Sequence, residues 1–251
     1  RSGQIVRGEG DAARFGGPLP AGWALQDPAD WLAAAGDAVR AALAAGHVAP
    51  DAIAGLGLDF TSCTVLPARA DGTPLARTEL GARPHAWPKL WKHHGAQRQA
   101  TELTEVACRW AEPWLDRYGG LIGLEWSFPK LLEVLDDDPV VAEATEVWVE
   151  GGDWVVWQLT GAPSLGGDRA APDLVRSTCQ AGYKALWSPD GGYPGAAYLD
   201  AVRPGLATLA ERVLPGRYRA PGEPAGELSV AGAAALGLSP GVAVSAAVID
   251  A

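Results

Sequence analysis

The sequence predicts an α/β fold, because segments of strand character alternate with segments of helical periodicity. A helix is expected between Asp27, whose carboxylate can cap its first turn, and Gly46, which can end it. Small and apolar residues alternate over Ile53–Asp59, which predicts a buried strand. Cys63–Pro67 is expected to continue this strand or to pair with it. Strands followed by a helix are typical of an α/β layer.

Turn and periodicity signals divide the rest of the chain. A hairpin turn is expected at Asp71-Gly72, with Pro74–Arg77 returning as a strand. Val242–Ile249 predicts a final apolar strand, which delivers Asp250 at its carboxyl end. Further helices are predicted over Leu90–Trp110, Phe128–Leu135, Asp153–Leu159, Pro194–Ala201 and Val230–Leu236.

Two segments rich in Gly and Pro are predicted to be irregular. Residues 1–22 carry no apolar periodicity, so we expect a loop there. Pro215–Gly226 is expected to be a connector that wraps over the surface. The folded domain is therefore expected over residues 23–251, with this connector inside it.

Composition excludes several classes of protein. The formal net charge is -10 and the 20 Lys and Arg residues are scattered, which argues against nucleic-acid binding. No apolar run reaches the roughly 20 residues that a membrane span requires. The three cysteines, Cys63, Cys108 and Cys179, show no Cys-x-x-Cys spacing. We therefore expect neither disulfides nor a zinc site, and a reducing, cytoplasmic environment.

Asp250 and Lys184 are candidates for chemistry on a polar ligand. Open α/β sheets bind ligands at the carboxyl ends of their strands, where Asp250 is expected and where a carboxylate can accept a proton from a hydroxyl. The alternative is that Asp250 caps a following helix. Lys184 lies between Tyr183 and Trp187, after Gly182, which is expected to make a tight turn. A lysine there can donate to hydroxyls, although an ordinary surface lysine is the commoner case.

Three other segments are weaker candidates. Thr61 and Ser62 follow the first predicted strand and can present hydroxyls to a polar ligand, although an ordinary strand-to-turn transition is the commoner case. Trp126 can stack on a sugar ring, although an aromatic residue beside proline is usually core. Three histidines could suggest a metal, but no carboxylate or cysteine stands at ligand spacing, so we expect no metal ligation from His85, His93 and His94.

Taken together, several segments resemble the FGGY family of carbohydrate kinases from Trp23 to the end of the chain. Asp153–Gly161 and the terminal strand with its aspartate resemble the family at large. Within the matching segments Gly57–Thr64 and Cys179–Trp187, Asp59–Thr64 and Ala181–Trp187 are similar to the branch of the family that phosphorylates ribulose. Further matching segments are Trp23–Trp31, Leu90–His94, Arg117–Gly120, Glu125–Lys130 and Gly226–Leu228.

The resemblance implies a fold of the actin-like, ribonuclease-H-like kind, with residues 23–251 as the sugar-binding domain. It implies ATP-dependent phosphorylation of the terminal hydroxyl of ribulose, with Asp250 as the base and Lys184 in contact with the sugar. Thr61 and Ser62 would line the sugar pocket, and Trp126 would form one of its walls. ATP and Mg²⁺ would bind mainly to segments outside this chain. The resemblance also allows a homodimer and implies no partner beyond ribulose and ATP.

Two departures from the family pattern bear on activity. The family opens with a strand that carries Asp-x-Gly-Thr-x-Ser, and nothing similar occurs in residues 1–22. The family also continues beyond the Asp250 strand into an ATP domain. We therefore expect a fragment of the first domain, without its first strands, that is inactive by itself. The alternatives are another pentulose or polyol kinase, such as one for xylulose, and a sugar-binding module without catalysis.

Overall fold

This computed structural model describes residues 12–250. These residues contain ten α-helices and nine short strands, joined by loops and 3₁₀ turns. The helices are α1 (Ala12–Phe15), α2 (Pro28–Gly46), α3 (Gln97–Trp110), α4 (Ser127–Asp137), α5 (Pro139–Ala144), α6 (Gly151–Thr160), α7 (Thr178–Lys184), α8 (Ala196–Val202), α9 (Leu206–Val213) and α10 (Val230–Leu236). The strands are β1 (Gly55–Leu56), β2 (Asp59–Phe60), β3 (Val65–Ala68), β4 (Val147–Glu150), β5 (Val175–Ser177), β6 (Arg217–Arg219), β7 (Pro224–Glu227), β8 (Ala243–Ser245) and β9 (Val248–Ile249). The chain is thus mixed α and β, as predicted.

An interrupted parallel ladder joins the beginning of the fold to its end. β1 pairs with β8, and β2 pairs with β9, both in parallel. Two residues lie between the paired residues Leu56 and Asp59, whereas three lie between their partners Val244 and Val248, so the ladder breaks between its halves. The predicted single strands over Ile53–Asp59 and Val242–Ile249 are therefore each split in two. Ile53–Asp59 is also partly exposed rather than buried, because it lies at an edge of its sheet.

The other strand pairs bring together distant parts of the sequence. β3 pairs antiparallel with β4, which places Val65 opposite Glu150. β5 pairs in parallel with β6, and β7 pairs antiparallel with β8. The connector predicted over Pro215–Gly226 is wrong in this respect, because it contains β6 and most of β7. Pro74–Arg77 is not a returning strand: one bridge joins Pro74 to Ala68, and a 3₁₀ turn follows.

Helix α6 forms the centre of the main core. All ten of its residues are buried, so other parts of the protein surround the helix on every side. The indoles of Trp154 and Trp31 meet edge to face with ring centroids 5.8 Å apart, which packs α2 against α6. On another side, α10 approaches so closely that a Cβ at Gly232 would clash with the Leu159 carbonyl. The two helices therefore pack backbone against backbone.

The helix signals of the sequence are mostly confirmed. Asp27 caps α2 by accepting from the Ala29 amide at 3.0 Å, and Ser229 caps α10 by accepting from Gly232 at 3.0 Å. The helix predicted over Leu90–Trp110 is wrong in its first third, since α3 begins only at Gln97.

The segment predicted as a loop lies only partly within the described residues. Residues 1–11 fall outside them, and α1 shows that residues 12–15 are helical. Between residues 12 and 250, no helix combines the length and the apolarity that crossing a bilayer requires.

Candidate active site

A cavity of about 260 Å³ opens where the β2–β9 ladder ends. Such a volume lies near the lower end of the range for ligand pockets, which suits a small polar molecule. Four of the five predicted site residues meet in its wall together with two aromatic residues. The lining residues are Thr61, Ser62, Trp91, Tyr183, Lys184 and Asp250.

Parallel pairing explains why Asp250 and Thr61 are neighbours. β9 ends at Ile249 and β2 ends at Phe60, and these two residues are partners in the ladder. The Asp250 amide donates to the Phe60 carbonyl at 3.3 Å. Because parallel strands end at the same edge of a sheet, the residues that follow them emerge side by side. The Asp250 carboxylate is exposed at this edge.

Lys184 enters the cavity wall from the last turn of α7. Ser177 caps this helix by accepting from the amides of Cys179 and Gln180. Gly182 lies inside α7 and does not make the expected tight turn. The Lys184 ammonium lies 5.0 Å from the centroid of the Tyr183 ring, close enough for a cation–π contact. A cation in the last turn also suits the negative end of the helix dipole.

Hydroxyl groups organise the loop after β2. The Thr61 and Thr64 hydroxyls are 2.7 Å apart, and the Trp91 amide donates to Thr64 Oγ1 at 3.1 Å. Cys63 adopts a φ of 59°, a left-handed conformation that is uncommon for a residue with a side chain. Hydrogen bonds from neighbouring segments therefore hold this loop in an unfavourable backbone shape.

The expected wall residue Trp126 is not among the residues that line the cavity. Its ring packs edge-on against Tyr118 at 4.9 Å between centroids, just before α4 begins. Trp91 lines the cavity instead, and 45% of its surface is exposed. The sequence does not single out Trp91, because this residue lies within a segment whose periodicity predicts a helix.

A buried acidic pair lies behind the cavity loop. Within the described residues, neither carboxyl oxygen of Glu150 has a hydrogen-bond partner. Burial raises the pKa of Glu150 to about 8, and the Asp153 carboxylate acts in the same direction. Burial raises the pKa of Asp153 to about 7, although its Oδ1 accepts from the Ser177 amide at 3.0 Å. Both carboxyl groups are therefore largely protonated in mildly acidic solution.

The histidines belong to structural contacts. The buried ring of His93 lies 3.0 Å from Glu133, which also pairs with Lys89 at 3.1 Å. Burial lowers the pKa of His93 to about 4, and the Lys89 ammonium acts in the same direction. His85 contacts the Lys89 ammonium at 3.2 Å, and His94 contacts Glu125 at 2.8 Å. These rings are engaged within the protein.

A larger groove of about 430 Å³ runs between α8 and α9. Its carboxylates are Asp200 and Glu211, and Asp200 accepts from the amides of Gly205 and Ala207. No lysine or arginine lines the groove among the described residues. The smaller cavity offers a free carboxylate, an ammonium group and hydroxyls together, and we therefore place the candidate site there.

Comparison with solved structures identifies the fold. The structure matches a xylulose kinase from Rhodospirillum rubrum with a TM-score of 0.66 and 18% identity, over 92% of this chain and 41% of that chain. It matches a gluconate kinase from Lactobacillus acidophilus with a TM-score of 0.66 and 14% identity, over 100% of this chain and 42% of that chain. The chain thus has the fold of the FGGY carbohydrate kinases, which confirms the predicted fold class.

Comparison of sequences narrows the class. The chain is 44% identical over 234 residues to a ribulokinase from Mycolicibacterium smegmatis, covering 93% of this chain and 39% of that protein. It is 40% identical over 230 residues to a ribulokinase from Geobacillus thermodenitrificans, covering 91% of this chain and 39% of that protein. No family model matches the chain. The chain is therefore a relative of the ribulokinases, and it spans about two fifths of their length.

Proposed function

We propose that this chain forms the sugar-binding part of a ribulokinase, which transfers a phosphoryl group from ATP to the terminal hydroxyl of ribulose. The observation that carries the proposal is the meeting of the Asp250 carboxylate and the Lys184 ammonium at one small polar cavity. The similarity in sequence to ribulokinases supports ribulose as the sugar, since it extends over 93% of the chain.

Asp250 is proposed to act as the general base. Its carboxylate accepts the proton of the terminal hydroxyl as that oxygen attacks phosphorus, so positive charge does not accumulate on the attacking oxygen. Lys184 donates to sugar oxygens and offsets the negative charge of the transferred group. Thr61 and Ser62 offer further hydrogen bonds, and Trp91 and Tyr183 present apolar ring surface to the carbon face of the sugar. The side chains thus position the sugar and tune the local charge.

ATP and Mg²⁺ are the expected cosubstrate and ion of such a reaction. Among residues 12–250, no group of three or more His, Cys, Asp or Glu side chains is arranged to hold a metal ion. We assign Mg²⁺ no ligand in this region, and we assign the cavity residues to the sugar rather than to the ATP phosphates. Their binding is proposed to involve the part of a ribulokinase that the present similarity does not cover.

Asp250→Asn tests the proposed base in the protein expressed from its complete gene. We expect ribulose affinity within a few fold of wild type and a fall in kcat of about 10² to 10⁴, because only proton acceptance is lost. Asp51→Asn is the matched control, since Asp51 is exposed at the opposite, amino-terminal end of β1. Calorimetry measures affinity and a coupled assay measures turnover; equal kcat for Asp250→Asn and wild type would exclude Asp250 as the base.

A panel of ketopentoses and polyols tests the identity of the sugar in the same assay. The proposal expects the highest kcat/KM for ribulose, because the relatives that are 44% and 40% identical to this chain are ribulokinases. A preference for xylulose would keep the carbohydrate-kinase class and change the substrate. Sugar binding without any transfer from ATP would instead indicate a binding module.

A further inference from the structure

Lys130 lies completely buried on α4, and its ammonium reaches two loops of the candidate site. Its Nζ donates to the Cys63 carbonyl at 2.6 Å and to the Leu90 carbonyl at 2.9 Å. Each acceptor is the chain neighbour of a residue in the cavity wall, since Cys63 follows Ser62 and Leu90 precedes Trp91. One ammonium group therefore bridges the two sides of the cavity from below.

A second bond joins the same two loops. The Trp91 amide donates to the hydroxyl of Thr64, which is fully buried and also contacts the Thr61 hydroxyl. The loop between these threonines contains the left-handed backbone of Cys63. Because the left-handed backbone at Cys63 is strained, the loop keeps this conformation only while groups outside it hold it in place. Lys130 and Thr64 supply such groups.

The need to fill space in the core does not explain why a charged residue is buried at position 130. Burial lowers the pKa of Lys130 to about 8, so burying this ammonium carries a free-energy cost. Among the described residues, no carboxylate lies within ion-pair distance of its Nζ. An apolar side chain of similar length would fill the same space at lower cost, but it would leave two carbonyl groups without a donor. The bonds to those carbonyls are what the lysine adds.

We propose that Lys130 is a positioning residue for sugar binding, which sets the separation of the Thr61–Ser62 wall from the Trp91 wall. The inference rests on the proposed function, because it takes the ketopentose as the occupant of the cavity. It goes further by assigning sugar affinity to a residue that does not touch the cavity. Loss of the ammonium releases both walls at once, so the wall hydroxyls and the Trp91 ring no longer meet the sugar together.

The test is Lys130→Met in the protein expressed from its complete gene. We expect the KM for ribulose to rise about tenfold or more while the KM for ATP stays within about threefold of wild type. Arg212→Met is the matched control, because Arg212 also donates to several carbonyls, those of Ala142, Glu143 and Thr145, away from the cavity. The control is expected to lower stability and to leave the KM for ribulose unchanged.

Thr64→Val is the second variant, since it keeps the shape of a buried side chain and removes only the hydroxyl. We expect a rise of several fold in the KM for ribulose, and this variant decides the question if Lys130→Met does not fold. Unchanged ribulose KM in the folded variants, or equal changes for ribulose and ATP, would overturn the positioning role while wild-type turnover keeps the proposed function. A wild-type protein that neither binds nor phosphorylates ribulose would overturn both.

Discussion

The buried carboxyl group of Glu150 makes stability depend on pH in a way that one substitution can remove. This group lies at the end of β4, and burial raises its pKa from an ordinary 4.5 to about 8. Between these two values the native chain holds a proton that the unfolded chain has released. Because the native state binds more protons, the contribution of Glu150 to the free energy of unfolding falls as the pH rises through this window.

The size of the effect follows from the pKa shift. Each pKa unit corresponds to about 1.4 kcal/mol, so the penalty from Glu150 grows from about 1 kcal/mol at pH 5 to about 4 kcal/mol at pH 8. Glu150→Gln has nearly the same shape and carries no charge at any of these pH values. We therefore expect the free energy of unfolding of the variant, minus that of wild type, to increase by about 3 kcal/mol between pH 5 and pH 8.

Urea unfolding at a series of pH values, followed by tryptophan fluorescence, measures this difference. A constant offset between the two proteins is of no consequence, because the amide makes its own contacts at every pH. Glu143→Gln is the matched control, since the same chemical change takes place on an exposed side chain of α5. If the difference between Glu150→Gln and wild type is the same at pH 5 and pH 8, Glu150 is not protonated in the native state and the reasoning fails.

Four further predictions concern packing, capping and the site. Gly232→Ala should destabilise the fold by about 1 to 3 kcal/mol in urea unfolding, although alanine favours helices, because the new methyl meets the Leu159 carbonyl; a stabilised variant would contradict the close packing of α6 and α10. Leu66→Ala should cost about 2 to 5 kcal/mol, since Leu66 is fully buried, and a loss below 1 kcal/mol would contradict its place in the core. Ser229→Ala should cost about 1 kcal/mol through the lost cap of α10, whereas Ser229→Asp should restore most of it. Lys184→Met should raise the KM for ribulose about tenfold or more in the coupled assay, and an unchanged KM would remove Lys184 from sugar binding.

Local signals explain which elements of the fold could be predicted. The bounds of α10 are predicted correctly because a capping serine, an apolar face and a terminal glycine all lie within nine residues, 229–237. The partner of β3 leaves no such local signal. Val65 pairs with Glu150, and nothing in the intervening sequence says that the ladder continues there rather than at Pro74. Strand pairing depends on the whole fold, which a short sequence window does not contain.

The candidate site divides in the same way. The resemblance to sugar kinases singles out Asp250 and Lys184, and the structure brings them to one cavity, while their chemical roles stay predictions. Trp91 lines the cavity and Trp126 does not, which the sequence could not show because the chain has 11 tryptophans and their exposure depends on tertiary packing. The positioning role of Lys130 could not be predicted from the sequence either, since it depends on two backbone carbonyls that only folding brings near the ammonium group.

The junction of β2 with β9 makes the candidate site depend on a contact between distant parts of the sequence. Thr61 and Asp250 are 189 residues apart in sequence, and the two strands that align them hold only two residues each. Closing the loop between these two strands is entropically costly. A ladder of two residues stabilises the closed loop only slightly until the rest of the core has formed. Before β2 and β9 have paired, the wall of the cavity is therefore incomplete. Ligand affinity should accordingly appear during refolding together with the slowest native contacts rather than with early helix formation.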